Sequence, residues 1–255
     1  MHLPKNQFKQ RLIQGVDQLG LWCSLPGSYA TEAVAGSGYD WLLFDTEHSP
    51  GDVLTVLPQL QTVAGYDVSA IIRPAANDAV LIKRFLDIGA QTLLIPFVQS
   101  AADAERAVAA MRYPPRGIRG VSSLTRATRF GRTKDYAKRA ESELCLLVQI
   151  ETVPALEELE EIAKLDGVDG LFIGPADLAA SLGHPGDADH AVVADVIEQA
   201  IQRIRACGKP AGILATDPDM AKRYMQLGVS FAAVAIDVGI LARGTEAALR
   251  QLRSH

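Results

Sequence analysis

Residues 147 to 152 read LVQIET, an apolar run that closes with an amide, Gln149, and a carboxylate, Glu151, two positions apart. In an extended strand successive side chains alternate faces, so Gln149 and Glu151 point the same way. If that face is inward the fold holds a buried charge, and buried charges are paired or ligate a metal. A second carboxylate, Asp177, follows Gly174, Pro175 and Ala176 in GLFIGPADL. Two carboxylates that converge can chelate a hard divalent cation while water and substrate oxygens complete an octahedral shell. The competing reading is an internal ion pair between Glu151 and Arg73. The Gly-containing turn before a helix at Asp177 and Leu178 would offer free N–H groups to an anion such as a substrate carboxylate; many helices begin this way, so that signal is weak alone.

The elements that must position these groups are read from hydropathy patterning. Apolar runs suited to buried strands fall at 19–25, 40–45, 68–73, 91–96, 144–150, 169–174, 210–214 and 231–236. Between them, stretches such as 101–112 and 153–165 repeat apolar residues at three- and four-residue spacing, which predicts helices. Near-continuous apolar strands alternating with helices indicate a parallel sheet covered on its outer face. Eight such units in 255 residues predict a closed (β/α)8 barrel as a single domain over 1–255, with an added helix around 4–15.

In such a barrel active sites collect at the C-terminal ends of the strands. The second run ends in Asp45, Thr46, Glu47 and His48, the third in Arg73, the fifth in Gln149 and Glu151, the sixth in Gly174 to Asp177. His48 is the best general base, because imidazole titrates near neutral pH without a large shift. His184 and His190 lie in a polar loop, and His2 and His255 sit at the termini. Trp22 and Leu214, at the ends of the first and seventh runs, are candidates for an apolar wall, with ordinary barrel packing as the alternative.

Composition excludes other classes. A formal charge of -5 argues against a dedicated nucleic-acid binder. Seven basic residues and no acid lie between Arg112 and Lys134, in a Gly- and Pro-punctuated segment expected to loop over the barrel mouth, where Arg126 and Arg129 are candidates to face an anion, across a subunit boundary or within one. Aromatic interleaving there is too sparse for a strand-binding groove. Three widely spaced cysteines predict reduced, buried thiols. The N-terminal segment has no signal-peptide core and no run is long enough to span a bilayer, so a cytoplasmic enzyme without membrane contact is expected. A Schiff-base mechanism needs a buried strand-end lysine, and Lys83, Lys134, Lys164 and Lys209 are placed elsewhere. Neither phosphate-binding glycine motif of nucleotide enzymes occurs.

FDTEHSP (44–50), YPPRGIRGV (113–121), LVQIET (147–152) and GLFIGPADL (170–178) resemble the signature segments of the HpcH/HpaI family of metal-dependent pyruvate aldolases, a likeness that runs from Gly20 to Arg243. The likeness is greatest to the 4-hydroxy-2-oxoheptanedioate aldolases, and related sugar-acid (2-keto-3-deoxy acid) aldolases share much of it. The resemblance implies a (β/α)8 barrel of the phosphoenolpyruvate/pyruvate superfamily. It also implies a divalent cofactor (Mg2+, Mn2+ or Co2+) and a homohexamer, a dimer of trimers, with the last helix exchanged between subunits. Its substrates would be pyruvate and an aldehyde. Carried onto matching positions, it makes Glu151 and Asp177 metal ligands. Gln149, Ala176, Asp177 and Arg73 become substrate contacts, Arg73 stabilising the developing oxyanion, and His48 the base. Asp87 would pair with the histidine and Asp45 would brace the arginine. Another lyase of the superfamily, such as a phosphopyruvate mutase or citryl-CoA lyase-like enzyme, is the alternative.

Overall fold

In the computed structural model, which describes residues 1–253, a closed barrel of parallel strands runs in chain order. The strands are β1 (Gln18–Cys23), β2 (Trp41–Asp45), β3 (Ser69–Arg73), β4 (Thr92–Ile95), β5 (Cys145–Ile150), β6 (Gly170–Ile173), β7 (Ala211–Leu214) and β8 (Val229–Ile236), and β8 pairs back with β1. Each predicted apolar run falls on one strand. His255 lies outside the described residues.

The helices are α1 (Gln7–Ile13), α2 (Ser28–Ala35), α3 (Val53–Val63), α4 (Ala79–Asp87), α5 (Ala101–Met111), α6 (Tyr136–Arg139), α7 (Val153–Glu157), α8 (Leu159–Lys164), α9 (Pro175–Ser181), α10 (Ala191–Ala206), α11 (Pro218–Leu227) and α12 (Asp237–Arg253). In α10 the buried Val193, Ile197, Ala200, Ile201 and Ile204 recur at helical spacing and form one stripe against the barrel. The helix expected over 153–165 is interrupted at Glu158, whose carboxylate accepts from the Ala101 backbone N–H at 3.2 Å. The N-terminal helix starts at Gln7 because the Asn6 side chain accepts from the Lys9 N–H and caps it.

Inside the barrel the side chains form columns. Trp41, Leu43, Ile71, Leu94, Cys145, Leu147, Phe172, Phe231 and Ala233 fill it, while the alternate residues Leu42, Phe44, Leu146, Val148 and Ile150 pack outward against the helices. Phe8 of α1 plugs the N-terminal end, edge-on to Trp41 and Phe231 at ring distances of 6.2 and 5.7 Å. Burying such a ring contributes about 2 kcal/mol. Gly20 admits the Trp41 indole, since a Cβ there would lie 2.2 Å from the ring. Continued upward, the same columns turn polar: Trp41 and Leu43 lead to Asp45, Ile71 to Arg73, and Cys145 and Leu147 to Gln149.

The basic segment 112–135 does not overhang this mouth. It connects the end of α5 to α6 and β5, and loops that lead from a helix into a strand lie at the N-terminal face. On α12 the only buried residue is Asp237, and Ile240, Leu241, Leu249 and Leu252 are exposed. No helix among the described residues is long and apolar enough to cross a membrane.

Candidate active site

Arg73 ends β3 inside the mouth, held on three sides. Asp45 accepts from its Nε and Nη2 at 2.8 Å each, a bidentate fork, and Nη1 lies 2.7 Å from Glu47 Oε2. The Trp22 ring stacks on the guanidinium at 4.6 Å, and its Nε1–H donates to Asp45 at 3.4 Å. Burial alone would push Asp45 upward, but the Arg73 fork and the Glu47 backbone N–H hold its carboxyl below the usual range. Two of the five guanidinium N–H groups donate to Asp45, and those on Nη1, near Glu47 but not hydrogen-bonded to it, together with one on Nη2 are left for an incoming oxygen.

Glu151 is buried just beyond the end of β5. Its Oε1 accepts from the Phe97 backbone N–H at 2.7 Å and its Oε2 from the Gln149 amide. Arg73 is engaged by Asp45 and Glu47 instead, and among the described residues Glu151 forms no ion pair. Its pKa is therefore pushed up to about 7: burial dominates, the Phe97 and Gln149 donors oppose it, and the neighbouring Asp177 and Glu47 charges add to it. Gly174 permits this packing, because a Cβ there would come within 2.6 Å of Glu151 Oε2 and 2.9 Å of its Cβ. Beyond Gly174, Pro175 opens α9, whose first intrahelical hydrogen bond is from Leu178 to Gly174. The Ala176 and Asp177 N–H groups thus stand free at the mouth.

These elements enclose a cavity of about 230 Å³ lined by Trp22, Asp45, His48, Arg73, Gln149, Ala176, Asp177 and Leu214 among others. Glu151 stands behind its wall, bonded to Gln149. The His48 side chain is 65% exposed, with Nε2 3.8 Å from Glu47 Oε2.

Three expected participants are elsewhere in the chain. Asp87 is the last residue of α4, shortly before β4 begins, which puts it at the N-terminal face; its carboxylate pairs with Arg119 at 2.8 Å, not with His48. Arg126 donates to the Ile88 and Leu60 carbonyls at the ends of α4 and α3, and with Arg129 it lines a cavity of about 320 Å³ at that same end. The reason is topological: a helix that starts at the mouth finishes at the opposite face.

Comparison with known proteins supplies the family. The model of the HpcH/HpaI aldolase/citrate lyase family matches residues 18–243. The chain belongs to this family. As an HpcH/HpaI aldolase it is an enzyme, a carbon–carbon lyase. It is 65% identical to the pyruvate aldolase of Rhizobium etli, over 97% of either chain. It is 54% identical to the 4-hydroxy-2-oxo-heptane-1,7-dioate aldolase of Klebsiella pneumoniae, over 95% of this chain and 92% of that one. Its barrel superposes with a TM-score of 0.94 on the crystal structure of an HpcH/HpaI aldolase/citrate lyase family protein from Burkholderia cenocepacia, at 40% identity, covering 98% and 100% of the two chains.

Two residues of this aldolase site have no role assigned from the sequence, although Glu47 is placed at the mouth by it. Glu47 is the second acid on Arg73; burial pushes its pKa up, with Arg73 and His48 opposing. Phe97 adopts a left-handed backbone (φ 53°), unusual for a non-glycine residue, and so aims its N–H at Glu151 while its ring is exposed. Only its place after the fourth strand hinted at a role.

Proposed function

We propose that the chain catalyses reversible aldol cleavage of 4-hydroxy-2-oxo acids, such as 4-hydroxy-2-oxoheptanedioate, to pyruvate and an aldehyde. The observation that carries this reading is Glu151, a buried carboxylate with no cationic side chain paired to it among the described residues, electrostatically coupled to Asp177 beside a cavity bearing Arg73, Gln149 and His48. The relatives named for pyruvate and for 4-hydroxy-2-oxo-heptane-1,7-dioate support it.

Glu151 and Asp177 would hold a divalent cation, Mg2+, Mn2+ or Co2+, which when bound supplies Lewis-acid polarisation of the 2-oxo group. The donors suit it: both are hard oxygen ligands, and Glu151 carries an uncompensated buried charge that a cation would neutralise. The free N–H groups of Ala176 and Asp177 bind the substrate carboxylate, and Gln149 orients the 2-oxo acid. His48 accepts the proton of the 4-hydroxyl as the bond between carbons 3 and 4 breaks. The electron pair passes to the 2-oxo oxygen, where the unused Arg73 N–H groups stabilise it. Protonation at carbon 3 then gives pyruvate. Trp22 stacks on Arg73, and with Leu214 it forms the wall facing the aldehyde.

If Asp87 braces the histidine, it does so in a neighbouring subunit, since its own His48 lies at the other end of the barrel. A homohexamer, a dimer of trimers with α12 exchanged, would provide that neighbour, and the exposed apolar residues of α12 favour it. Three free cysteines suit a reducing cytoplasm.

The test is a retro-aldol panel, with metal-stripped protein reconstituted with each divalent ion and pyruvate detected by a coupled assay. Ion-dependent pyruvate release from 4-hydroxy-2-oxo diacids is expected; preference for 2-keto-3-deoxy sugar acids would select the sugar-acid reading, and full activity under chelation would overturn the metal assignment.

A further inference from the structure

Arg119, in the basic segment, is an anomaly. Its side chain is 0% exposed, and Nη2 donates to Asp87 Oδ1 at 2.8 Å. Its Nε and Nη1 are buried without a well-formed hydrogen bond among the described residues. The guanidinium lies 4.6 Å from the Tyr113 ring centre and 6.0 Å from that of Tyr136, contacts that offset part of its desolvation. Buried ion pairs are commonly no more stabilising than apolar side chains of the same volume, so stability does not account for this arginine.

Its effect on Asp87 does. An acid at the C-terminal end of a helix faces the negative end of the macrodipole, an unfavourable place that a paired cation corrects. The charged and titratable groups around it are few. Tyr113 and Tyr136 are both pushed up by burial, Tyr113 to about 12, and stay neutral. Arg126 is occupied by the Ile88 and Leu60 carbonyls, and Lys83 lies along Gly120. Arg119 therefore fixes Oδ1, while Oδ2 accepts no hydrogen bond among the described residues and the Asp87 side chain is 24% exposed. The carboxylate is presented outward in one direction.

We propose that Arg119 is a positioning residue that aims the free oxygen of Asp87 at the His48 imidazole of a neighbouring subunit. The inference rests on the reading that Asp87 serves a neighbour's site. Arg119→Met should lower the melting temperature by only a few degrees, the cost of leaving Asp87 unpaired at the helix C-terminus, and should leave the oligomeric state and the KM for the 2-oxo acid nearly unchanged. It should lower kcat about tenfold, as loss of a residue orienting a reactive group does. The acidic limb of the pH profile should move to lower pH, as in Asp87→Asn, because a misaimed carboxylate no longer raises the basicity of the imidazole. Arg119→Lys should recover part of the loss.

Mixed oligomers separate the two ideas. His48→Ala subunits refolded with Asp87→Asn subunits should regain about a quarter of wild-type activity, the fraction of sites that draw an intact His48 and an intact Asp87 from different subunits. His48→Ala subunits should rescue Arg119→Met in the same way, which a purely structural arginine would not allow. Absence of rescue with Asp87→Asn overturns the cross-subunit reading. Rescue there, with Arg119→Met retaining wild-type kcat or moving the limb upward, overturns the role of Arg119 alone.

Discussion

Replacement of Glu151 by glutamine should stabilise the metal-stripped protein at alkaline pH while abolishing its metal binding. A carboxyl whose folded pKa is about 7 against an ordinary 4.5 stays protonated in the folded state after the unfolded chain has lost the proton. Between those values the unfolded state binds fewer protons, so stability falls as pH rises through this window and levels off above it. The gap, at about 1.4 kcal/mol per pH unit, amounts to about 3 kcal/mol above pH 7. Glutamine is neutral throughout and of the same size. Its carbonyl still accepts from the Phe97 N–H, and a flip of the Gln149 amide turns the otherwise unpartnered Gln149 Oε1 toward its new NH2 group. Urea unfolding under chelation should give similar stabilities for wild type and Glu151→Gln near pH 4.5. Near pH 8.5 the variant should be about 3 kcal/mol more stable, or about 6–12 °C in melting temperature for a chain of this size. A saturating divalent ion should restore the wild type alone, by about 2.7 kcal/mol at a hundredfold excess over Kd. Parallel pH dependences for the two proteins would refute the reasoning, since the buried charge would then carry no cost.

Other expectations follow from single contacts. Gly174→Ala should weaken divalent-ion binding about tenfold, because the new Cβ collides with Glu151; ion titration by calorimetry reads it. Asp45→Asn should cost about 3 kcal/mol in urea unfolding by breaking the fork on the buried Arg73, and should lower kcat more than it raises KM. Leu241→Asp on α12 should shift the protein to smaller species in light scattering while leaving the barrel folded by far-ultraviolet circular dichroism, since Leu241 is exposed in the single chain.

What the sequence by itself determined is local and periodic. Alternation places Gln149 and Glu151 on one face, and the apolar columns below them make that face the barrel interior. The order of strands and helices yields the closed barrel, and the runs ending in Asp45, Arg73 and Gln149 predict one mouth. Even the side on which residues 112–135 emerge follows from their place between a helix and a strand, although their basic character suggested the mouth. Only the tertiary structure decided which charges meet. Arg73 is claimed by Asp45 and Glu47 rather than Glu151, Asp87 by Arg119 rather than His48, and Phe97 gives its backbone N–H to Glu151 from the end of another strand. Such pairings depend on barrel closure, which brings residues far apart in the chain within a few ångströms, and local periodicity carries no information about which of several equivalent acids a given arginine will reach.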